Sequence, residues 1–170
     1  MMNMDEEKMT VLHQCIHFLN SIGIQTIFRK IDDGSFLPGL LIENGNIIID
    51  TEALLYPGDI LHEAGHIAVV PSADRQQMDQ QWIINSINRE TEEMMAIAWS
   101  YAACIHLGID PLIVFHEDGY KGGGKSIVEN FKAGCFFGTP MLQWCKMAID
   151  PYQAKPGEEA YPKMLMWMRE

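Results

Sequence analysis

The chain of 170 residues is long enough for one domain with a hydrophobic core and short for two. Hydrophobic residues make up 48% and charged residues 21%, a balance typical of a folded globular protein. Aspartate and glutamate number 23 against 12 lysines and arginines, which gives a net charge of −11. We therefore expect no direct binding to nucleic acid or to an anionic membrane, because both require a basic surface.

The N-terminus and the cysteines indicate a cytoplasmic protein. The first residues, MMNMDEEK, are acidic and lack the apolar segment of a secretory signal. No apolar run approaches the length of about 20 residues that spans a bilayer. The four cysteines are far apart, and Cys104 lies in an apolar helical run, which predicts a buried free thiol. This pattern is typical of a reducing compartment.

The first 50 residues predict one helix followed by a small antiparallel sheet. Residues 6–21 have apolar side chains at helical spacing. Residues 24–31 alternate as in a strand. Residues 40–50 form the clearest hairpin, because Asn44-Gly45 favours the positive φ angles of a two-residue turn.

The next helix carries the sequence HEAGH, which is an H-E-x-x-H motif at residues 62–66. On a helix the side chains of His62 and His66 lie on one face and can bind the same zinc ion. Glu63 lies beside them, where it can take a proton from an activated water. The motif therefore predicts a zinc site with a general base.

Two prolines and an aspartate predict the limits of this helix. Pro57 is suited to the first helical position, Asp59 to the first turn, and Pro71 ends the helix. Gly65 is unexpected, because glycine inside a helix costs about 1 kcal/mol relative to alanine. A close approach by another element would explain it. We interpret residues 72–81 as a polar, solvated loop.

Residues 88–107 predict a second long helix, apolar nearly all round from Met94 to Ile105, which should cross the middle of the domain. Catalytic zinc usually has three protein ligands. A histidine six residues after His66 would fall at Ser72, and a glutamate about twenty residues on would fall near Ser86. The glutamates that follow are Glu90, Glu92 and Glu93. Since carboxylates also cap helices, spacing leaves all three open.

The motif and the order of elements over residues 6–107 resemble the ImmA/IrrE-type zinc metallopeptidases. The resemblance implies a zincin-like fold, with His62 and His66 as ligands and Glu63 as general base. It also implies Glu93, 27 residues after His66, as the third ligand. Members of that family include proteases that cut DNA-binding regulators. This chain departs in that the usual Glu-Ala-Asn run is replaced by Glu93 followed by Met-Met-Ala.

Residues 108–170 predict an extension of helices and loops without a motif of that family. Residues 119–126 match G-x-x-x-x-G-K-S, a phosphate-binding loop, between an apolar run and a predicted helix at 126–133. The chain lacks the repeated strand–helix units of nucleotide-binding folds, so nucleotide binding is an alternative only. Asp110-Pro111 predicts a short helix or a strand. The tail YPKMLMWMRE should dock on the core, because large apolar side chains are rarely exposed.

Four further side chains have the chemistry of substrate-binding groups. A histidine can polarise a carbonyl, but we interpret His106 and His116 as structural or surface residues. Tyr101 and Tyr120 can donate a hydrogen bond to an oxyanion, and the sequence favours neither.

The sequence thus predicts one α+β domain, mostly helical, with a core at 1–107 and an extension at 108–170. The predicted function is zinc-dependent hydrolysis of a peptide bond in a protein or peptide substrate, by a monomer or homodimer. A non-catalytic relative, keeping the metal for structure or sensing, is the main alternative.

Overall fold

The computed structural model describes residues 4–32, 35 and 37–170. Over these residues the protein is a single α+β domain of six α-helices and a three-stranded sheet, joined by short 3-10 turns. The helices are α1 Met4–Ser21, α2 Asp59–Val69, α3 Gln80–Asn85, α4 Arg89–Leu107, α5 Gly124–Lys132 and α6 Thr139–Trp144. The strands are β1 Thr26–Phe28, β2 Leu40–Glu43 and β3 Asn46–Ile49. None of the described helices is long and apolar enough to cross a bilayer.

The sheet is mixed, with the strand order β1-β3-β2. The predicted hairpin is confirmed: β2 pairs antiparallel with β3, and Asn44 and Gly45 adopt φ angles of 52° and 70°. The prediction of an antiparallel sheet is wrong for β1, which pairs parallel with β3. Ile47, Ile48 and Ile49 are all buried, so β3 is the central strand. The Asn44-Gly45 turn makes β2 antiparallel to β3. The direction of β1 depends instead on the path of the chain after α1.

The two long central helices, α2 and α4, were predicted within two residues of their observed starts, and they pack directly on each other. Residues 95–104 of α4 are buried, as its apolar sequence predicted. Gly65 lies at the crossing: a Cβ atom there would stand 2.8 Å from the carbonyl oxygen of Ala96. Close contact between the two helices therefore explains the glycine.

The segment predicted as a polar loop at 72–81 is more ordered than expected. It contains a 3-10 turn at Arg75–Gln77, the fully buried Met78 and the start of α3. The side chain of Asp79 caps α3 by accepting a hydrogen bond from the backbone N–H of Trp82 at 2.7 Å. The prediction of a solvated loop is therefore wrong at Met78, which is buried, and at residues 80–81, where α3 begins.

The glycine-rich segment does not have the surroundings of a phosphate-binding loop. Pro111–Ile113 is a 3-10 turn capped by Asp110, where that motif requires a strand. A Cβ atom at Gly124, the first residue of α5, would stand 2.3 Å from the carbonyl oxygen of Phe115, so backbone closes off this helix end. The structure gives the nucleotide alternative no support.

The C-terminal tail docks on the core, as predicted. The indole of Trp167 packs edge-on against Phe18, with ring centroids 4.9 Å apart. The backbone carbonyl of Trp167 accepts a hydrogen bond from Trp99 Nε1 at 2.8 Å. Arg169 then caps α2: its backbone N–H donates to the carbonyl of Ala68 at 2.9 Å, and its guanidinium donates to that of Val69 at 3.2 Å. The tail thus holds the C-terminal end of the helix that carries both motif histidines.

Candidate metal centre

Three side chains from α2 and α4 converge at one point. His62 Nε2 and His66 Nε2 are 3.2 Å apart. The carboxylate of Glu93 lies 3.2 Å from His66 Nε2 through Oε2 and 3.6 Å from His62 Nε2 through Oε1. A metal ion could be held by these three residues, whose ligand atoms all lie within 4.8 Å of one another. No other such group of histidine, cysteine or acidic side chains occurs in the described part of the chain.

The size of this triangle suits a zinc ion. Zinc binds imidazole nitrogen at about 2.0–2.1 Å and carboxylate oxygen at about 2.0–2.2 Å, in tetrahedral geometry. Two such ligands are then about 3.3–3.4 Å apart. The two Nε2 atoms are 3.2 Å apart, and they lie 3.2 and 3.6 Å from different oxygens of Glu93, which is close to the spacing of ligands on one zinc ion. Two nitrogens and one oxygen are also a usual donor set for catalytic zinc.

The packing of α2 on α4 sets this geometry. Helical spacing places His62 and His66 on the same face of α2. Gly65 allows α4 to approach, and Ser100 of α4 lies between the helices, with its hydroxyl 3.3 Å from the carbonyl oxygen of Leu61 on α2. Glu93 is at the solvent end of α4 and its side chain is 41% exposed, whereas that of His66 is 8% exposed. The triangle is therefore buried on the α2 side and open on the α4 side.

Glu63 is buried next to the triangle. Its carboxylate accepts a hydrogen bond from the side-chain amide of Gln80 at 3.5 Å. Burial raises the pKa of Glu63, with the charges of Asp59 and Glu93 adding to the effect, although the charge of His66 opposes it. A carboxylate with a raised pKa is better suited to accept and return a proton near neutral pH. The sequence did not point to Gln80.

His62, His66 and Glu93 shift one another's pKa values. Burial, together with repulsion from His66, lowers the pKa of His62 to about 3. Burial also opposes charge on His66, but the hydrogen bond that His66 donates to Glu93 and the nearby carboxylates outweigh it and raise the pKa. Burial alone would raise the pKa of Glu93, yet the two histidines lower it to about 2.

The two other glutamates considered for the third ligand lie outside the triangle. Glu90 is exposed at the start of α4. Glu92 lines a cavity of about 460 Å³ together with Trp82 and Arg169, and the three ligand residues do not line it. Because one residue of α-helix turns the side chain by about 100°, only one of two adjacent glutamates can face α2. That residue is Glu93.

Two buried polar atoms beside the triangle have no hydrogen-bond partner among the described residues, His62 Nδ1 and the hydroxyl of Tyr120. The ring of Tyr120 stands edge-on to that of His62, with centroids 5.3 Å apart. Burial, together with the charges of Glu93, Asp59 and Glu63, raises the pKa of Tyr120 well above its usual value. Its hydroxyl therefore keeps its proton and is a hydrogen-bond donor at neutral pH.

The other candidate side chains have structural contacts. His116 lies 2.9 Å from Asp59, and its ring stacks on that of Tyr56 at 3.8 Å. His106 is exposed and packs against Phe18 and Trp167, away from the ligands. Tyr101 packs against Phe131. The interpretation of His106 and His116 as structural is consistent with these contacts. Cys104 is buried and unpaired, as predicted.

No protein-family model, curated protein or solved structure significantly matches this chain. The geometry and chemistry of the site are therefore the basis for assigning a function.

Proposed function

We propose that the protein is a zinc-dependent hydrolase that cleaves a peptide bond. The observation that carries the proposal is the convergence of His62, His66 and Glu93. The two Nε2 atoms are 3.2 Å apart, and the Glu93 carboxylate lies 3.2 and 3.6 Å from them, which suits tetrahedral zinc. We also propose that the protein is related to the ImmA/IrrE-type metallopeptidases and that its fold is zincin-like. Both rest on the HEAGH sequence and on the position of Glu93.

The proposed ligands leave room for a reaction on one side. A zinc ion bound by these residues would supply a Lewis acid and an activated water at its fourth position. Glu93 is partly exposed, so a substrate can approach the triangle from that side. His62 and His66 are largely buried, so water and substrate can reach the site only from the side of Glu93.

Glu63 is the proposed general base and acid. Its carboxylate takes a proton from the attacking water while the water oxygen forms a bond to the carbonyl carbon. The C–N bond then breaks, and Glu63 delivers that proton to the leaving nitrogen. Gln80, which donates to Glu63 at 3.5 Å, holds the carboxylate in place for both transfers.

The metal content of the native protein and its hydrolysis of unfolded protein substrates test the proposal. We expect about one zinc ion per chain by elemental mass spectrometry. We also expect cleavage of a denatured substrate such as casein that stops with a chelator and returns with added zinc. Absence of metal, even after zinc is offered, would refute the proposed site. Stoichiometric zinc without cleavage of any substrate would favour a non-catalytic metal-binding protein.

A further inference from the structure

The cavity of about 460 Å³ next to the metal centre has no role in the reaction proposed above. Its volume is within the range of about 300–1,000 Å³ that is usual for small-ligand sites. It is lined by the segment after α2, by α3, by the start of α4 and by the C-terminal tail, and its lining includes Asp74, Trp82, Glu92 and Arg169. Ile87, which also lines it, is 98% exposed, so the cavity opens to solvent.

Two of the lining residues connect this cavity to the site of reaction. Glu92 is the residue before the proposed ligand Glu93, and its charge helps to raise the pKa of His66. Trp82 is two residues after Gln80, whose side chain donates a hydrogen bond to the proposed general base. A peptide bound at the metal can therefore place a neighbouring side chain in the cavity.

The carboxylates of the cavity are not neutralised by the protein. Among the described residues, neither Asp74 nor Glu92 forms an ion pair or a side-chain hydrogen bond. The guanidinium of Arg169 donates to the carbonyl oxygen of Val69 at 3.2 Å and pairs with neither carboxylate. Two carboxylates against one guanidinium leave the lining negative, as is the whole chain with its net charge of −11. The charge of the cavity is thus complementary to a cation.

Trp82 adds an aromatic surface that suits the same kind of ligand. The residue is half-buried, and its indole N–H has no hydrogen-bond partner in the part of the chain that the structure describes. Cations bind to the faces of aromatic rings, and most strongly to that of tryptophan. The stem of a lysine or arginine also packs on apolar surface while its charged end stays with polar groups. The cavity therefore offers such a side chain both surfaces that it needs.

We propose that this cavity is a substrate subsite of the peptidase described above and that it binds the side chain of a lysine or arginine near the scissile bond. The inference rests on the proposed function. Asp74 and Glu92 bind the charged end of the substrate side chain, and Trp82 packs on its stem. The preferred substrates are then segments with a basic residue at one fixed position relative to the cut.

The cleavage sites in denatured casein, mapped by mass spectrometry, provide the first test. We expect most sites to have lysine or arginine at the same position close to the cut. A peptide around one such site is then made with arginine and with citrulline, which has nearly the same shape and no charge. For the wild-type protein, kcat/KM should be about tenfold higher for the arginine peptide, the effect of one hydrogen bond to a charged group.

Three variants test which side chains produce this preference. Glu92→Gln should keep its zinc and reduce the preference to about threefold, because Asp74 and Trp82 still attract the cation. Trp82→Leu keeps an apolar side chain but removes the aromatic face, so its preference should also fall. Glu90→Gln is the matched control, since Glu90 is exposed on the same helix, does not line the cavity and carries the same charge. Its preference should equal that of the wild type.

Binding without cleavage is measured in the Glu63→Gln variant loaded with zinc. The probes are the blocked peptide AARAA and the same peptide with citrulline in place of arginine. Nitrogen-15 NMR follows the indole N–H signal of Trp82, which is identified by its absence in Trp82→Leu. We expect the arginine peptide to shift this signal with an affinity about tenfold higher than that of the citrulline peptide.

The outcomes separate this inference from the proposed function. Equal binding and cleavage of the arginine and citrulline peptides would refute the subsite and leave the zinc site standing. An equal loss of preference in Glu90→Gln would also refute it, because the preference would then come from the overall charge of the chain. Absence of zinc, or zinc without cleavage of any substrate, would refute the proposed function. The assignment of the cavity to a substrate would fall with it, even if the arginine peptide still bound.

Discussion

His116 Nε2 lies 2.9 Å from Asp59 Oδ1, although the two residues are 57 positions apart in the chain. The backbone N–H of Gly119 donates to His116 Nδ1 at 3.2 Å, so Nε2 carries the ring proton and donates to Asp59. Asp59 lies three residues before His62, in the first turn of α2. This hydrogen bond therefore joins the loop that carries Tyr120 to the helix that carries the histidines.

The contact between His116 and Asp59 should act as a positioning device for that loop. Asp59→Ala removes the acceptor, and we expect kcat to fall about fivefold, the equivalent of one ordinary hydrogen bond, with zinc content unchanged. Asp59→Asn keeps an acceptor oxygen and should stay within about twofold of wild type. Both variants remove the same charge, so an equal loss of kcat in the two would show that charge, and not the hydrogen bond, is responsible.

Glu63→Gln should separate metal binding from hydrolysis. Glu63 is not one of the three ligands, so the variant should keep its zinc. Without a group that accepts the proton, hydrolysis should fall by about a hundredfold to ten-thousandfold. Zinc analysis and a peptide-cleavage assay on the same preparation measure both effects. A variant that still hydrolyses its substrate at the wild-type rate would refute the role given to Glu63.

Removal of a ligand should release the metal. We expect His66→Ala and Glu93→Ala to lose most of their zinc after dialysis, because two ligands bind zinc much more weakly than three. Glu92→Ala is the matched control, since Glu92 is adjacent in sequence but lies outside the triangle. Elemental analysis of the purified variants gives the result. Full zinc in Glu93→Ala would assign the third ligand to Glu92 or Glu90 instead.

Gly65→Ala should destabilise the protein, against the usual trend within helices. At an open helical position this change adds about 1 kcal/mol of stability. Here the new Cβ would stand 2.8 Å from the carbonyl oxygen of Ala96 and 3.1 Å from Ser100 Oγ. Such overpacking costs about 1–3 kcal/mol, so we expect a net loss of up to about 2 kcal/mol. Calorimetry should show a lower melting temperature, and a higher one would contradict the close packing of α2 on α4.

The stability of the metal-free protein should depend on pH through the ligand residues. Since the pKa of His62 falls to about 3 on folding, its contribution to the free energy of unfolding decreases as pH falls from 6.5 toward 3. The pKa of His66 is raised, so its contribution is present below 6.5 and is lost as pH rises through the folded-state value. Together the two histidines should give a maximum near pH 6.5.

Urea unfolding in the presence of a chelator, from pH 5 to 9, measures this dependence. Glu93→Gln is the diagnostic variant, because the hydrogen bond and charge of Glu93 raise the pKa of His66. In that variant the loss of stability above pH 6.5 should be smaller, because only Glu63 and Glu92 still raise the pKa of His66, while the loss below it through His62 remains. Identical profiles for the two proteins would contradict the coupling between Glu93 and His66.

Local patterns predicted the elements that carry the site. The α2 and α4 helices follow from apolar periodicity, and the hairpin follows from the left-handed preference of Asn44-Gly45. Helical geometry alone places His62 beside His66. The choice between Glu92 and Glu93 depends on the rotation of α4 against α2, which is a property of packing at Gly65. Local sequence cannot determine that rotation.

Long-range contacts account for what the sequence did not show. The approach of Gln80 to Glu63 depends on α3, a short helix started by a single cap at Asp79. The contact between Asp59 and His116 closes a loop of more than fifty residues. The direction of β1 depends on the path of the chain between α1 and the sheet. In each of these contacts the two partners are far apart in the sequence, so local sequence patterns cannot predict it.

The cap that Arg169 provides to α2 has a consequence for the order of folding. The carbonyl of Val69 accepts a hydrogen bond from a residue 100 positions later, so α2 is synthesised long before its cap. Until the tail docks, the helix that bears both histidines has unpaired carbonyl groups at its C-terminal end. A proteolytic cut in the largely exposed segment 152–159, followed by loss of the tail, would return the protein to that condition. The affinity of the histidines for metal would then fall although neither histidine had been altered.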